Sequence, residues 1–408
     1  MMRNAAREIL VWAMSGMMAL WATGCSHANV GGGGTPPGTN NVLAISVNTG
    51  PTAAMGSPYI NGAFTSVTVC VPGSTTQCQT IDGILVDTGS PGLRLLSSEL
   101  TVALPQQTDS SNNPVVECAP FASGVIWGPV QTADMTVTGE KASSLPIQVI
   151  GTNSFPNIPA ACSNQGTPVE DLQQLGANGI LGIGPYQQDC GAACATSGAT
   201  NPGVYYTCPA TGCVVAAEPL ASQVTNPVVM FPKDNNGTII ELPALSGSAA
   251  SVNGQLIFGI GTQSNNGLGS ATIYTMDPAS GNFSTVFNGQ TYTNEAFLDS
   301  GSNAMYFLDS TTTTIPTCTD YTFWYCPGGT LNFSATNMGA NGNSGIINFS
   351  VGNADSLVAN PGDGAANGLA GPFPSTFDWG LPFFYGRNVY TAIDGMSTPG
   401  GTGPYWAY

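Results

Sequence analysis

Two stretches of this chain could do acid–base chemistry, and they are copies of each other. Gly83-Ile84-Leu85-Val86-Asp87-Thr88-Gly89-Ser90-Pro91-Gly92-Leu93-Arg94-Leu95-Leu96 recurs as Glu295-Ala296-Phe297-Leu298-Asp299-Ser300-Gly301-Ser302-Asn303-Ala304-Met305-Tyr306-Phe307-Leu308. In each copy an apolar run delivers an aspartate into a Ser/Thr-Gly-Ser turn, and a second apolar run follows. Asp87 and Asp299 stand in the only two Asp-Thr/Ser-Gly triplets of the sequence, 212 residues apart. One triplet alone says little, because Asp, Ser, Thr and Gly all favour turns; two in matched apolar contexts are hard to attribute to chance. Carboxylates held a few Å apart cannot both ionise readily, so such a pair shares one proton, and one member can accept a proton while the other donates. The single histidine, His27, excludes Ser-His-Asp triads and histidine-based zinc sites. Catalysis by this chain therefore falls to carboxylates.

The elements that must position these aspartates are strands. Of 408 residues only 7% are charged, 42% are hydrophobic, and there are 53 Gly and 30 Pro, which excludes coiled coils and helical repeats. Sixteen Phe, 13 Tyr and 6 Trp are too many for a disordered chain. Short alternating runs such as Ser66-Val67-Thr68-Val69 end in turns, and eight Asn-Gly pairs, at Asn61, Asn178, Asn236, Asn253, Asn266, Asn288, Asn341 and Asn367, predict tight hairpins with positive φ. Helical periodicity is confined to short stretches near Val169–Leu175 and Pro219–Val224. The expected class is all-β, with an N-terminal β unit over 42–232 carrying Asp87 and a C-terminal one over 233–408 carrying Asp299. A formal net charge of −17 and the lack of basic clusters exclude nucleic acid as a partner.

Residues 1–24 read as an export signal: Arg3 and Arg7 supply the positive end, and Ile9 to Ala22 form an apolar run too short to span a membrane. Ala22-Thr23-Gly24-Cys25 resembles a bacterial lipobox, in which Cys25 would be lipidated and anchor the protein to a membrane, by expectation the outer one. The alternative is ordinary cleavage nearby, for instance after Ala28, with a secreted or periplasmic product. Residues 25–41, Gly- and Pro-rich, read as a flexible tether. Ten cysteines remain beyond Cys25, an even set suited to five disulfides in an exported protein. The short loops Cys70–Cys78 and Cys318–Cys326 are the first expected pairs and Cys118–Cys162 the next. Cys190, Cys194, Cys208 and Cys213 are expected to pair among themselves in one of three ways, with zinc as the competing reading of their spacing.

The repeat resembles the pepsin-like aspartic proteases, in which two related β lobes each contribute one such Asp to a shared cleft. The likeness spans roughly residues 80–395. Ile180-Leu181-Gly182 and Trp379-Gly380 match the apolar-apolar-Gly runs that support each Asp loop, although Asp378 occupies a normally apolar position. Gln255-Leu256-Ile257-Phe258-Gly259-Ile260-Gly261 and the run from Trp379 to Asp394 resemble later family segments. The resemblance implies a two-lobed pepsin-like fold, Asp87 and Asp299 as catalytic residues, and Thr88, Ser90, Ser300 and Ser302 holding the carboxylates by hydrogen bonds. Gly89 and Gly301 would allow close backbone turns, and Gly182 and Gly380 would support the loops. It also implies a flap hairpin around Ala119 to Gly128, with Phe121 in place of the usual Tyr and Gly124 as a second flap candidate; packing of Phe121 in the core is the competing reading. Arg94 stands where the family commonly has Trp. The insertion from Tyr186 to Val214 has no counterpart and reads as a stapled surface loop.

The activity implied is that of an aspartic endopeptidase acting on a peptide or protein in the interlobe cleft, as a monomer, with no cofactor or metal. A pepsin-like protein without catalysis that binds peptide, protein or glycan is the alternative, and a structural cell-surface β protein is a third. The third is disfavoured by retention of both Asp turns.

Overall fold

The structure, a computed structural model, describes residues 40–408. The stretch read as an export signal, Cys25, His27 and the expected tether up to residue 39 lie outside the described residues. The last two tether residues are tied down. Asn41 is buried and donates through Nδ2 to the Phe258 carbonyl at 2.9 Å, and the Asn40 carbonyl accepts from Gly139 N–H. A side-chain amide can dock a polar segment onto a strand where apolar packing cannot.

The protein is mostly β. Strands β1 (Val42–Asn48), β2 (Gly62–Cys70), β3 (Cys78–Asp87), β4 (Pro91–Leu96), β5 (Val115–Phe121), β6 (Gly124–Val137), β7 (Glu140–Ile150) and β8 (Gly179–Ile183) make up the first half. A 15-stranded sheet joins them to strands from the second half, with β1 antiparallel to Val252–Phe258. A separate 7-stranded sheet is built within residues 283–379. Alternation in sequence becomes alternation in burial: in β2, Val67 and Val69 are buried while Ser66 and Thr68 are partly exposed. β8 is instead buried throughout, because it lies between two neighbours and is covered on both faces. The main core draws on both halves, from Leu93 and Leu181 to Phe307 and Trp379.

The two copies of the repeat have the same surroundings. β8 lies between β3, which enters the first Asp turn, and β4, which leaves it; β3–β8 is parallel, with Asp87 opposite Gly182, and β4–β8 is antiparallel. Phe373–Trp379 likewise lies between Gln290–Leu298 (parallel) and Met305–Leu308 (antiparallel).

Of the eight Asn-Gly pairs, only Asn288-Gly289 has both residues at positive φ, turning Phe283–Phe287 into Gln290–Leu298. Asn61 has another use. It is fully buried and donates to the Asn303 and Ala366 carbonyls, while accepting from Ala366 N–H and the Tyr385 hydroxyl, all within 2.9 Å. A buried amide with every group satisfied is a specific tie, and this one joins the two halves beside the Asp turns.

Five disulfides form: Cys70–Cys78, Cys118–Cys162, Cys190–Cys194, Cys208–Cys213 and Cys318–Cys326. The four clustered cysteines thus pair as sequence neighbours. Thiol titration of the denatured, unreduced protein is expected to find at most one free group, from an unmodified Cys25; two or more would contradict this framework. The insertion is more than a stapled surface loop. Its Tyr205–Thr207 strand pairs with β5, and Asp189 and Tyr205 enter the interior. The reason is charge: buried Arg94 needs anionic partners, and Asp189 supplies one. Among the described residues, no helix is long and apolar enough to cross a membrane.

Candidate active site

Both aspartates end apolar strands, and both turn immediately afterwards. Gly89 N–H donates to Asp87 Oδ1 at 2.6 Å and Ser90 Oγ to Oδ2 at 2.5 Å. In the second turn Gly301 N–H donates to Asp299 Oδ1 at 2.7 Å, and Ser302 Oγ lies 2.9 Å from Oδ2. Thr88 and Ser300 do not hold the carboxylates; they tie the turns to each other. Thr88 N–H donates to Ser300 Oγ at 3.1 Å and Ser300 N–H to Thr88 Oγ1 at 2.9 Å. Each hydroxyl then donates across the pair, Thr88 to the Leu298 carbonyl and Ser300 to the Val86 carbonyl. This reciprocal lock is buried, with Thr88 and Ser300 at most 1% exposed, so it is shielded from competing water.

The lock brings each carboxylate against the glycine of the opposite turn. A Cβ on Gly89 would sit 2.6 Å from Asp299 Cγ, and one on Gly301 would sit 2.8 Å from Asp87 Oδ1. Any larger residue at either position would push the carboxylates apart. Gly182 and Gly380 support the turns from behind. A Cβ on Gly182 would meet Ser90 O at 2.7 Å, and one on Gly380 would meet Ala304 O at 1.9 Å. Burial, followed by the neighbouring Asp299 charge, pushes Asp87 well above the usual carboxylate range. The arrangement therefore favours one proton on the pair.

The pair lies in a cavity of about 400 Å³ whose lining includes Tyr59, Phe121, Tyr306, Trp324 and Asp378. Phe121 reaches this cavity from the hairpin of β5 and β6, with Ala122 and Ser123 at the turn. Gly124 does not line it; its Cα packs against Thr167, whose carbonyl would be 2.3 Å from a Cβ there. Behind the hairpin, Arg94 is 1% exposed, donates to Glu117 Oε1 at 2.8 Å and Asp189 Oδ2 at 3.2 Å, and lies 5.4 Å from the Phe121 ring centre. Two of its partners are thus ionic, beside the Gln148 amide oxygen and the Pro91 carbonyl, whereas a Trp could offer only an indole N–H.

Three cavity residues escaped sequence reasoning as site members. Tyr59 precedes β2 and carries no motif. Its phenol is held protonated by burial and by the charges of Asp299 and Asp87. Tyr306 sits in the repeat at the position of Arg94, and its hydroxyl donates to Asn303 Oδ1 at 2.7 Å. Asp378 was visible as an acid in an apolar context, and the structure places it at the pair: its Oδ2 is 2.6 Å from Ser302 Oγ.

A larger depression, about 800 Å³, lies elsewhere on the second half among Phe333, Phe349, Phe383 and Arg387. It contains no carboxylate, whereas the cavity at the two turns is lined by Asp87, Asp299 and Asp378. Among the described residues, Cys318, Cys326 and Asp355 come within 4.8 Å of one another. Both sulfurs are already bonded in a disulfide and cannot act as thiolate ligands.

No curated protein matches this sequence. A family model described as protein of unknown function (DUF3443) matches residues 37–408, and the chain belongs to that family.

Proposed function

We propose that this protein is an exported aspartic endopeptidase with a two-lobed pepsin-like architecture, which hydrolyses peptide bonds with a water activated by Asp87 and Asp299. The observation that carries this reading is the reciprocal Thr88–Ser300 lock, which sets two Asp turns from distant parts of the chain face to face at one cavity. The ionised member takes a proton from water while the protonated member donates to the scissile carbonyl. Attack then gives a tetrahedral intermediate with no acyl-enzyme. A peptide would lie extended beneath the Phe121 hairpin, with its main chain paired and its side chains in pockets. Incubation of the purified mature protein with a peptide library from acid to neutral pH tests the reading. Cleavage with a maximum below neutrality is expected; the absence of cleavage would favour a catalytically silent binding protein.

We also propose that Cys25 carries a lipid. Five disulfides are consistent with an oxidising compartment outside the cytoplasm. Cys25→Ala is expected to abolish labelling by a fatty-acid probe and move the protein to the soluble fraction. A wild type that is already soluble and unlabelled would show an ordinary secretory signal instead.

A further inference from the structure

Ser302 faces two carboxylates with one hydroxyl proton. Its Oγ is 2.9 Å from Asp299 Oδ2 and 2.6 Å from Asp378 Oδ2, so it cannot donate to both, and one of the two acids must donate to it. The surroundings identify which. Asp299 is partly exposed to the cavity and also accepts from the Gly301 N–H. Asp378 is 6% exposed, its Oδ1 is buried without a hydrogen-bond partner, and Ser302 is the sole group bonded to it. An ionised Asp378 would leave an orphaned anionic oxygen in the interior; a neutral acid leaves only a carbonyl oxygen, which costs far less.

Among the described residues, no cation offsets a charge there. The titratable groups facing Asp378 are Asp299 from the second Asp turn, Asp87 from the first, Tyr306 from the adjacent strand and, across the cavity, Tyr59. Among the described residues, no Lys or Arg lines the cavity.

We propose that Asp378 is a positioning residue that stays neutral: its Oδ2–H donates to Ser302 Oγ, which commits the Ser302 proton to Asp299 Oδ2. Asp299 Oδ2 is then oriented by Ser302 as Asp87 Oδ2 is by Ser90. Burial and the nearby Asp299 charge, which push the Asp378 carboxyl well above its ordinary range, act in the same direction. Ionisation of Asp378 would turn the Ser302 proton away from Asp299 and add a negative charge beside the pair. The effect on rate rests on the endopeptidase reading; the protonation of Asp378 does not.

Two measurements test the proposal. In kinetics, Asp378→Val removes the donor to Ser302 and is expected to lower kcat about ten- to a hundredfold with little change in KM, the size of one hydrogen bond to a charged group. Asp378→Asn restores an N–H donor and should recover most of that loss. In a Ser302→Ala background, Asp378→Val should cost nothing further, because Asp378 acts through Ser302. Wild-type kcat in Asp378→Val, or full additivity with Ser302→Ala, would overturn the proposal. In spectroscopy, ¹³C-carboxyl aspartate labelling, with the Asp378 signal assigned by its loss in Asp378→Asn, should show a protonated carboxyl at neutral pH. A signal that titrates in the ordinary carboxylate range would overturn it. Should no peptide be cleaved, the endopeptidase reading fails, and the carboxyl signal alone decides the state of Asp378.

Discussion

Asp87→Asn and Asp299→Asn are each expected to lower peptide cleavage by about 10²–10⁴-fold, the usual contribution of a positioned general acid or base, while leaving the fold intact. Asn keeps the shape of the side chain, and its carbonyl oxygen can still accept from Gly89 or Gly301, but it cannot share a proton with its neighbour. The wild-type rate should follow a bell in pH, rising as the pair loses its first proton and falling as it loses the second, and these values belong to the pair rather than to either residue. Melting curves provide the control, and their sign is set by burial. The Asp87 carboxyl binds its proton more tightly in the folded chain than in the unfolded one. Its contribution to stability is therefore complete below the ordinary value of 3.8 and declines as pH rises through the raised folded value. Asp87→Asn removes that decline, so the variant should melt at or above the wild-type temperature at neutral pH. An inactive variant that melts well below wild type would point to a damaged turn, and a fully active one would refute the role of the pair.

The second large effect is expected in stability. Arg94→Met should cost about 3–5 kcal/mol at neutral pH, because it leaves Glu117 and Asp189 buried without their counter-charge. Burial, followed by the Glu117 charge, already pushes the Asp189 carboxyl well above its ordinary range, with Arg94 opposing that shift. Without the guanidinium Asp189 would hold its proton more tightly. The loss should therefore shrink as pH falls and Asp189 becomes neutral. Urea unfolding at neutral and acid pH measures this directly; a loss below about 1 kcal/mol at neutral pH, within the range of an exposed pair, would show that the cluster is not the internal brace its burial indicates. The same variant removes the cation from beside Phe121. Peptide cleavage should fall with it as the hairpin loses its support.

What could be read without coordinates was whatever depends on local pattern. The repeat singled out Asp87 and Asp299 because an apolar strand running into Asp-Ser/Thr-Gly-Ser is a local signature, and alternation with frequent turns set the class as mostly β. Cysteine parity and short spacing identified Cys70–Cys78 and Cys318–Cys326, since a closed hairpin leaves little choice of partner. Local pattern also misled: Asn61 has the turn-forming Asn-Gly signature, yet its four hydrogen bonds make it a tie between halves.

The tertiary structure decided what local pattern left open, above all the contacts between residues distant in sequence. The three possible pairings among Cys190, Cys194, Cys208 and Cys213 were equal on paper, and the path of the insertion selected one. Arg94 read as a missing Trp until Glu117 and Asp189, 23 and 95 residues away, closed around it. Thr88 and Ser300 were expected to serve their own carboxylates; across 212 residues they instead serve each other. Asp378 could be seen in the sequence only as an acid in an apolar run. Its meaning comes from a single hydroxyl between two carboxyl groups, and that geometry exists only once Ser302, 76 residues earlier, is folded against it. Hydrogen bonds and ion pairs are short-ranged and directional, so sequence can propose the groups, but only the fold brings them within reach.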